Sequence, residues 1–156
     1  MSCRAGFLSA LFFLSANTYA DNSIVIGHGI KVDGIAGSGD WSSEYVWQIH
    51  AQRTLAGPTV KGAVRIIAVS HAQPKDSYVR TIELFVLAPV IQSKTESTAE
   101  PRFSLIASSP LYKRGKYCIP FKPFEVSIPL DDSEVQRDDI GFYCFTKEAL
   151  LKAAHI

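Results

Sequence analysis

Three long candidate strands constrain the fold of this chain more than any other feature. They span residues 44–54, 60–71 and 79–90, and a period of two along a segment is typical of a β-strand. Gly57-Pro58 separates the first two segments, and a polar stretch over residues 73–77 that contains Pro74 separates the last two. Proline and glycine at these points indicate turns. The pattern therefore predicts three antiparallel strands in a row.

The apolar faces of these segments also predict a pairing register. A hairpin centred on the first turn places Trp47 opposite Ala68 on the apolar face and His50 opposite Arg65 on the polar face. A slip of one residue would turn each side chain to the other face and bring apolar residues against polar ones. We therefore expect this register for the first hairpin.

The third segment carries apolar side chains on both of its faces. The second turn places Leu84 opposite Ile66 and directs Leu84 and Val86 inward, although Phe85 and Leu87 on the other face are equally apolar. A sheet that is covered on both sides is typical of a closed barrel or a sandwich. We expect a mainly β fold, in which an antiparallel meander closes into a small OB-like barrel or forms a sandwich.

Shorter elements complete the predicted domain. Residues 24–32 alternate and predict a strand, residues 34–40 are rich in glycine and predict a loop, and residues 92–102 predict a long polar loop. Thr146 is placed to cap a short C-terminal α-helix that begins at Lys147 and ends at about Ala154.

The first twenty residues are typical of a secretory signal peptide. Arg4 supplies the positive charge, residues 7–14 form the apolar run, and Thr18 and Ala20 are small residues at the cleavage site. The apolar run is shorter than the roughly 20 residues that cross a membrane. We therefore expect a signal peptide over residues 1–20 and a single exported β domain over residues 21–156. This domain would be secreted or periplasmic, with no membrane span after cleavage.

The cysteines agree with export. Loss of the signal peptide removes Cys3 and leaves Cys118 and Cys144. In an oxidising compartment two cysteines most simply form one disulfide. Their wide spacing fits neither a CxxC redox motif nor a zinc-ligand pattern. We therefore expect a structural Cys118–Cys144 bridge.

No segment carries a recognisable catalytic, cofactor or metal-binding motif. Residues 36–40 lack the flanking glycines of a G-x-S-x-G elbow and contain no phosphate-binding pattern, and the acidic residues 131–139 lack EF-hand spacing. The histidines His28, His50, His71 and His155 are far apart in the sequence, so only the fold could gather them. We expect no catalytic residue, no cofactor and no resident metal.

Two features are typical of a binding surface. Tyr112 precedes a basic turn formed by Lys113, Arg114 and Lys116, and cations beside aromatic rings bind phosphates and anionic sugars. Trp41 follows the glycine-rich segment, where it would either be exposed to a partner or plug one end of the barrel. These five residues are the predicted binding residues.

The expected function is non-catalytic binding of a protein or an oligosaccharide. Loss of Arg4 lowers the formal net charge from +1 to zero, so the mature domain has no net field to attract nucleic acid, which is not an expected partner. A rigid barrel with long polar loops is typical of binding scaffolds.

Two alternatives to a binding function stay open. One is a structural or assembly subunit of a secretion or toxin-like complex. The other is a small hydrolase or metal-dependent enzyme whose His28, His71 and acidic residues meet only in the fold.

Overall fold

The structure is a computed structural model that describes residues 22–39, 41–90, 103–112 and 114–154. Within these ranges the chain is mainly β. The strands are β1 (Ser23–Ser38), β2 (Ser43–Ala56), β3 (Gly62–Ser70), β4 (Ile82–Pro89), β5 (Phe103–Pro110), β6 (Lys116–Ile119), β7 (Gln136–Arg137) and β8 (Tyr143–Thr146). The helices are α1 (Asp76–Arg80) and α2 (Lys147–Ala153), with 3-10 turns at Pro123–Val126 and Asp132–Glu134.

Five strands form a closed barrel in the order β1-β2-β3-β5-β4. Strand β1 closes the ring because its first residues, Ser23 to Ile26, pair with β4 while its whole length pairs with β2. Strands β3 and β5 run parallel, and the other neighbouring pairs in the barrel are antiparallel. This mixed five-stranded ring, with a helix between β3 and β4, is an OB-like barrel. The expected fold class is confirmed.

The predicted hairpin register was wrong by two residues. Trp47 opposes Ile66 rather than Ala68, and His50 opposes Ala63 rather than Arg65. A shift of two positions leaves every side chain on the same face, so the apolar pattern cannot detect it. The connection between β2 and β3 fixes the register instead, because the Thr54 hydroxyl bonds both the N–H and the carbonyl of Val60 at 2.9 Å.

The predicted pairing of the third long segment with the second was also wrong. Its first residues belong to α1, and β4 then pairs with β1 and β5 rather than with β3. As a result Phe85 and Leu87 join the barrel core, whereas Leu84 and Val86 join a second core, which inverts the predicted faces. A strand that is buried on both sides gives no alternation from which its inner face can be identified.

The two cores lie on the two sides of the barrel wall. The first fills the barrel and contains Val25, Tyr45, Trp47, Ile49, Ala51, Val60, Ile66, Ala68, Val79, Ile82, Phe85 and Leu87. The second lies between the wall and a C-terminal layer, which consists of the β6-β8-β7 sheet and α2. It contains Ile24, Ile26, Leu55, Leu84, Val86, Ala107, Tyr117, Ile119, Val126, Ile128, Phe145 and Leu150.

The predicted loop over residues 34–40 was wrong for most of its length. Strand β1 continues to Ser38, which pairs with Ser43 of β2, and the turn closes where the Gly39 N–H donates to the Ser42 carbonyl at 2.8 Å. Several register shifts interrupt this ladder, and such irregular strands resemble loops in sequence because they are rich in glycine.

The C-terminal predictions are confirmed. Helix α2 begins after Thr146, whose hydroxyl accepts a hydrogen bond from the Ala149 N–H at 3.0 Å. The Cys118–Cys144 disulfide joins directly paired residues of β6 and β8. The described residues contain no helix long and apolar enough to cross a membrane.

Candidate binding groove at the barrel seam

The barrel wall is least complete where β3 and β5 meet. These strands pair at two positions only, Ile66 with Phe103 and Ile67 with Ser104. Beyond this point no other described strand pairs with the facing edges of Ala68–Ser70 and Leu105–Ser108. An unpaired strand edge presents backbone N–H and C=O groups to any further chain.

A groove of about 750 Å³ lies between these two edges, and we refer to it as the seam groove. Its walls come from β3, the connection to α1, α1 itself, β5 and the C-terminal layer. The lining residues are Trp47, Val69, Ser70, Ala72, Gln73, Pro74, Lys75, Ser77, Tyr78, Thr81, Leu105, Ile106, Ala107, Ser108, Pro120 and Phe142. Two apolar side chains at this site are unusually exposed, Val69 at 60% and Tyr78 at 55%.

Trp47 places an unsatisfied hydrogen-bond donor in the barrel core beside the seam groove. The side chain is only 4% exposed and belongs to the barrel core, yet it also lines the groove. Its indole Nε1 has no hydrogen-bond partner among the described residues. A buried donor without a partner costs about 1–3 kcal/mol, and a ligand carbonyl would recover this energy if the side chain turned Nε1 towards the groove.

The described lining residues of the seam groove carry few titratable groups. Lys75 and Tyr78 are the only titratable side chains among the described lining residues, which include no carboxylate, imidazole or thiol. The groove therefore offers strand edges and apolar surface, and its titratable groups are the amine of Lys75 and the phenol of Tyr78.

The predicted binding residue Trp41 lies outside the seam groove. It is 87% exposed at the end of the β1–β2 hairpin, so it does not plug the barrel. Its carbonyl oxygen lies 2.7 Å from Nδ1 of His71, and this contact ties the hairpin end to the residue that follows β3.

The basic turn forms a separate feature on the C-terminal layer. Tyr112 and Lys116 form an isolated bridge, Arg114 adopts a left-handed backbone with φ of 78°, and the Lys116 ammonium donates to Gln136 Oε1 at 2.7 Å. None of the described contacts joins this turn to Trp41. Lys113 and the predicted loop over residues 92–102 lie outside the described residues.

Among the described residues, the histidines and acidic side chains do not form the cluster that the enzyme alternative invokes. His28 lies beside His50 rather than beside His71. In the part of the chain that the structure describes, no group of three or more His, Cys, Asp or Glu side chains could hold a metal ion. His155 lies outside the described residues.

A carboxylate at Asp33 links two strands on the outer face of the barrel. It accepts from the Lys31 ammonium at 2.7 Å and lies 3.2 Å from Nε of Arg65 on β3. The hydrogen bond from Lys31 is the main cause that lowers the pKa of Asp33 below its ordinary value; burial opposes this shift, and the charges of Lys31 and Arg65 reinforce it. This ion-pair cluster therefore stabilises the folded state only while Asp33 is charged.

We expect Asp33→Asn to lower the free energy of unfolding at pH 7 by about 0.5–1 kcal/mol, because Lys31 is half exposed and solvent screens the pair. A carboxylate with a lowered pKa loses its stabilising effect as the pH falls through that pKa, so the variant and the unmodified chain should converge when the pH is lowered from 7 to well below the ordinary Asp pKa of about 3.9. Urea unfolding at both pH values measures this. Asp139→Asn is the exposed control, and a difference that persists in acid would contradict the prediction.

The seam groove is the strongest functional feature of the described residues, because it combines open strand edges, exposed apolar surface and an unsatisfied donor. No family model matches the chain, and comparisons with curated proteins and with solved structures found no match either. Function therefore has to be inferred from the residues themselves.

Proposed function

We propose that this chain is an exported, non-catalytic binding domain that recognises a protein partner. An extended segment of that partner lies in the seam groove and pairs with the edges of β3 and β5. The observation that carries this proposal is the open seam, where two strand edges that no other described strand pairs with flank a groove with exposed apolar side chains. Addition of a strand to an exposed sheet edge is a common mode of peptide recognition.

The parallel course of β3 and β5 limits how the partner binds. A strand placed between them runs either parallel to both or antiparallel to both. Antiparallel pairing is slightly more stable per residue, so we expect the antiparallel orientation. Alternate side chains of the segment face the groove, where the apolar surface around Trp47 and Leu105 favours apolar residues. The carbonyl of one residue accepts from Trp47 Nε1.

Export is part of the same proposal. The signal-peptide pattern lies in residues 1–20, outside the described residues, and supports secretion or transfer to a periplasm. The Cys118–Cys144 bridge is compatible with an oxidising compartment.

A protein partner suits the seam better than an oligosaccharide does. OB-fold barrels also bind oligosaccharides on the outer face of their second and third strands, and Gln48, His50 and Gln52 make this face polar here. However, a sugar would leave the unpaired backbone edges of the seam unused.

The assembly alternative uses the same edges with a second copy of the chain as the partner, and sedimentation of the purified protein tests it.

The proposal is tested with random decapeptides displayed on phage and selected on the immobilised protein. We expect selected peptides with apolar residues at alternate positions, and we expect Val69→Lys to weaken their binding at least about tenfold, or about 1.4 kcal/mol. This lysine places a charge at the rim of the seam groove. Phe124→Lys is the matched control, because Phe124 is 62% exposed but does not line the groove.

Two further measurements identify the binding mode. N-methylation of either alternate set of peptide amides should weaken binding, because one set faces the edge of β3 and the other faces the edge of β5. Trp47→Phe removes the indole donor and should weaken binding by about five- to tenfold, which corresponds to one hydrogen bond. Selected peptides that bind Val69→Lys as tightly as the unmodified protein, or that tolerate every N-methylation, would refute the proposal.

A further inference from the structure

Two histidines face each other on the outer surface of the barrel. His28 of β1 and His50 of β2 are direct cross-strand partners, and both side chains are exposed. Their ring centres lie 5.3 Å apart, and the ring planes are tilted by 31°. The backbones approach closely beside this pair, since a Cβ atom on Gly27 would overlap the His50 carbonyl. Residue pairing therefore places the two imidazoles side by side on the outer surface.

This distance matches what metal chelation requires. When two imidazole nitrogens each lie about 2.0–2.1 Å from one metal ion and are separated by roughly 90–110°, their ring centres are about 4.5–5.2 Å apart. The observed 5.3 Å differs from the tetrahedral end of this interval by about a tenth of an ångström. The spacing of the rings is therefore compatible with a shared metal ion when each side chain turns one nitrogen towards it.

Gln52 adds a contact that orients the first ring. Its side-chain amide nitrogen lies 3.4 Å from Nδ1 of His28. Rotation of the amide by half a turn exchanges its nitrogen and oxygen, and Oε1 can then accept from a protonated Nδ1. Histidine ligands usually donate their second ring N–H in this way. This arrangement leaves Nε2 of His28 free to bind a metal.

We propose that His28 and His50 form a two-histidine chelate for a first-row transition-metal ion, with water in the remaining coordination positions. Imidazole ligands suit copper, nickel and zinc, whereas calcium and magnesium prefer oxygen. Divalent copper is bound most tightly by such ligands, and nickel and zinc bind more weakly. The position opposite His50 on β3 is Ala63, whose small side chain leaves room for the water ligands.

The site is independent of the seam groove. Neither histidine lines that groove, and neither is needed for the strand pairing proposed there. A metal ion at this position would act on the outer face of β1 and β2, so the two proposals can fail or succeed separately.

The test is titration of the untagged protein with Cu²⁺, followed by calorimetry and by electron paramagnetic resonance. We expect one Cu²⁺ ion per chain at this site, with hyperfine coupling to two imidazole nitrogens. His28→Ala and His50→Ala should each weaken binding at least about tenfold, and Ni²⁺ and Zn²⁺ should bind the unmodified protein more weakly than Cu²⁺. His71→Ala is the matched control, because this exposed histidine lies outside the pair, and its Cu²⁺ affinity should be unchanged.

The melting temperature distinguishes a loss of metal binding from a structural effect of the substitutions. Cu²⁺ should raise it in the unmodified protein and in His71→Ala, but not in the double variant His28→Ala/His50→Ala, because only a ligand that binds the folded state stabilises it. Unchanged Cu²⁺ affinity in the double variant, which retains His71 and His155, would overturn the proposal. Tighter binding of Zn²⁺ than of Cu²⁺ would also overturn it.

Discussion

Substitution of Gly29 by alanine is expected to lower the free energy of unfolding by about 1–3 kcal/mol or more, because it forces overpacking at a backbone contact. A Cβ atom at this position would overlap the carbonyl and Cγ1 of Val79, a fully buried residue of α1. The helix cannot easily move away, since the Val32 N–H donates to Asp76 at 2.9 Å and Arg80 donates to the Ile30 carbonyl at 3.2 Å. The added methyl therefore separates α1 from β1.

The measurement is urea unfolding monitored by tryptophan fluorescence. Gly37→Ala on the same strand is the control, because a Cβ atom there would meet only the flexible Glu44 side chain, at 3.3 Å or more. We expect the control to change stability by less than about 0.5 kcal/mol. Gly29→Ala should also weaken peptide binding, since Tyr78 on α1 lines the seam groove. Equal stability of the two variants would show that the α1 contact does not hold the helix in place.

Loss of the disulfide is the second change that we expect to have a large effect on stability. We expect Cys118→Ala/Cys144→Ala to lower the free energy of unfolding by about 3–4 kcal/mol, because the bridge closes a loop between residues 26 positions apart and so restricts the unfolded chain. For a domain of this size the melting temperature should fall by about 10 °C or more.

Reduction of the unmodified protein provides the matched comparison. A reducing agent should lower its melting temperature to that of the double variant and should leave the variant unchanged. A loss below about 1 kcal/mol would mean that β6 and β8 hold together without the bridge, through the packing of Tyr117 and Phe145.

Local chemistry made several features of this fold predictable from the sequence. The Thr146 cap, the Cys118–Cys144 bridge and the inward face of Trp47 all depend on neighbouring residues, on a pair with no competitor or on a simple period of two. The mainly β class was predictable for the same reason, since long alternating segments have few other ways to bury their apolar face.

The candidate sites depend on strand pairing, which the sequence pattern does not encode. Apolar residues on both faces of β4 gave no information on its partners. The sequence therefore predicted that β4 pairs with β3 along its whole edge, whereas β4 pairs with β5. The seam groove exists only because β5 pairs with β3 at two positions instead. The pairing of His28 with His50 likewise depends on the irregular register of β1, whose glycine-rich half resembled a loop.

The second core has a consequence for how the chain folds as it is made. Strand β1 needs β4 to complete its pairing, and the ring needs β5, so the barrel cannot close until residues near 110 have been synthesised. Ile24 and Leu84 lie on the outside of the barrel wall, and they stay exposed until Phe145 and Leu150 have been added to the chain and cover them. Such non-local contacts form slowly, and apolar surface that stays exposed in the meantime promotes aggregation. The C-terminal layer thus covers, late in folding, an apolar surface of the barrel that would otherwise promote aggregation.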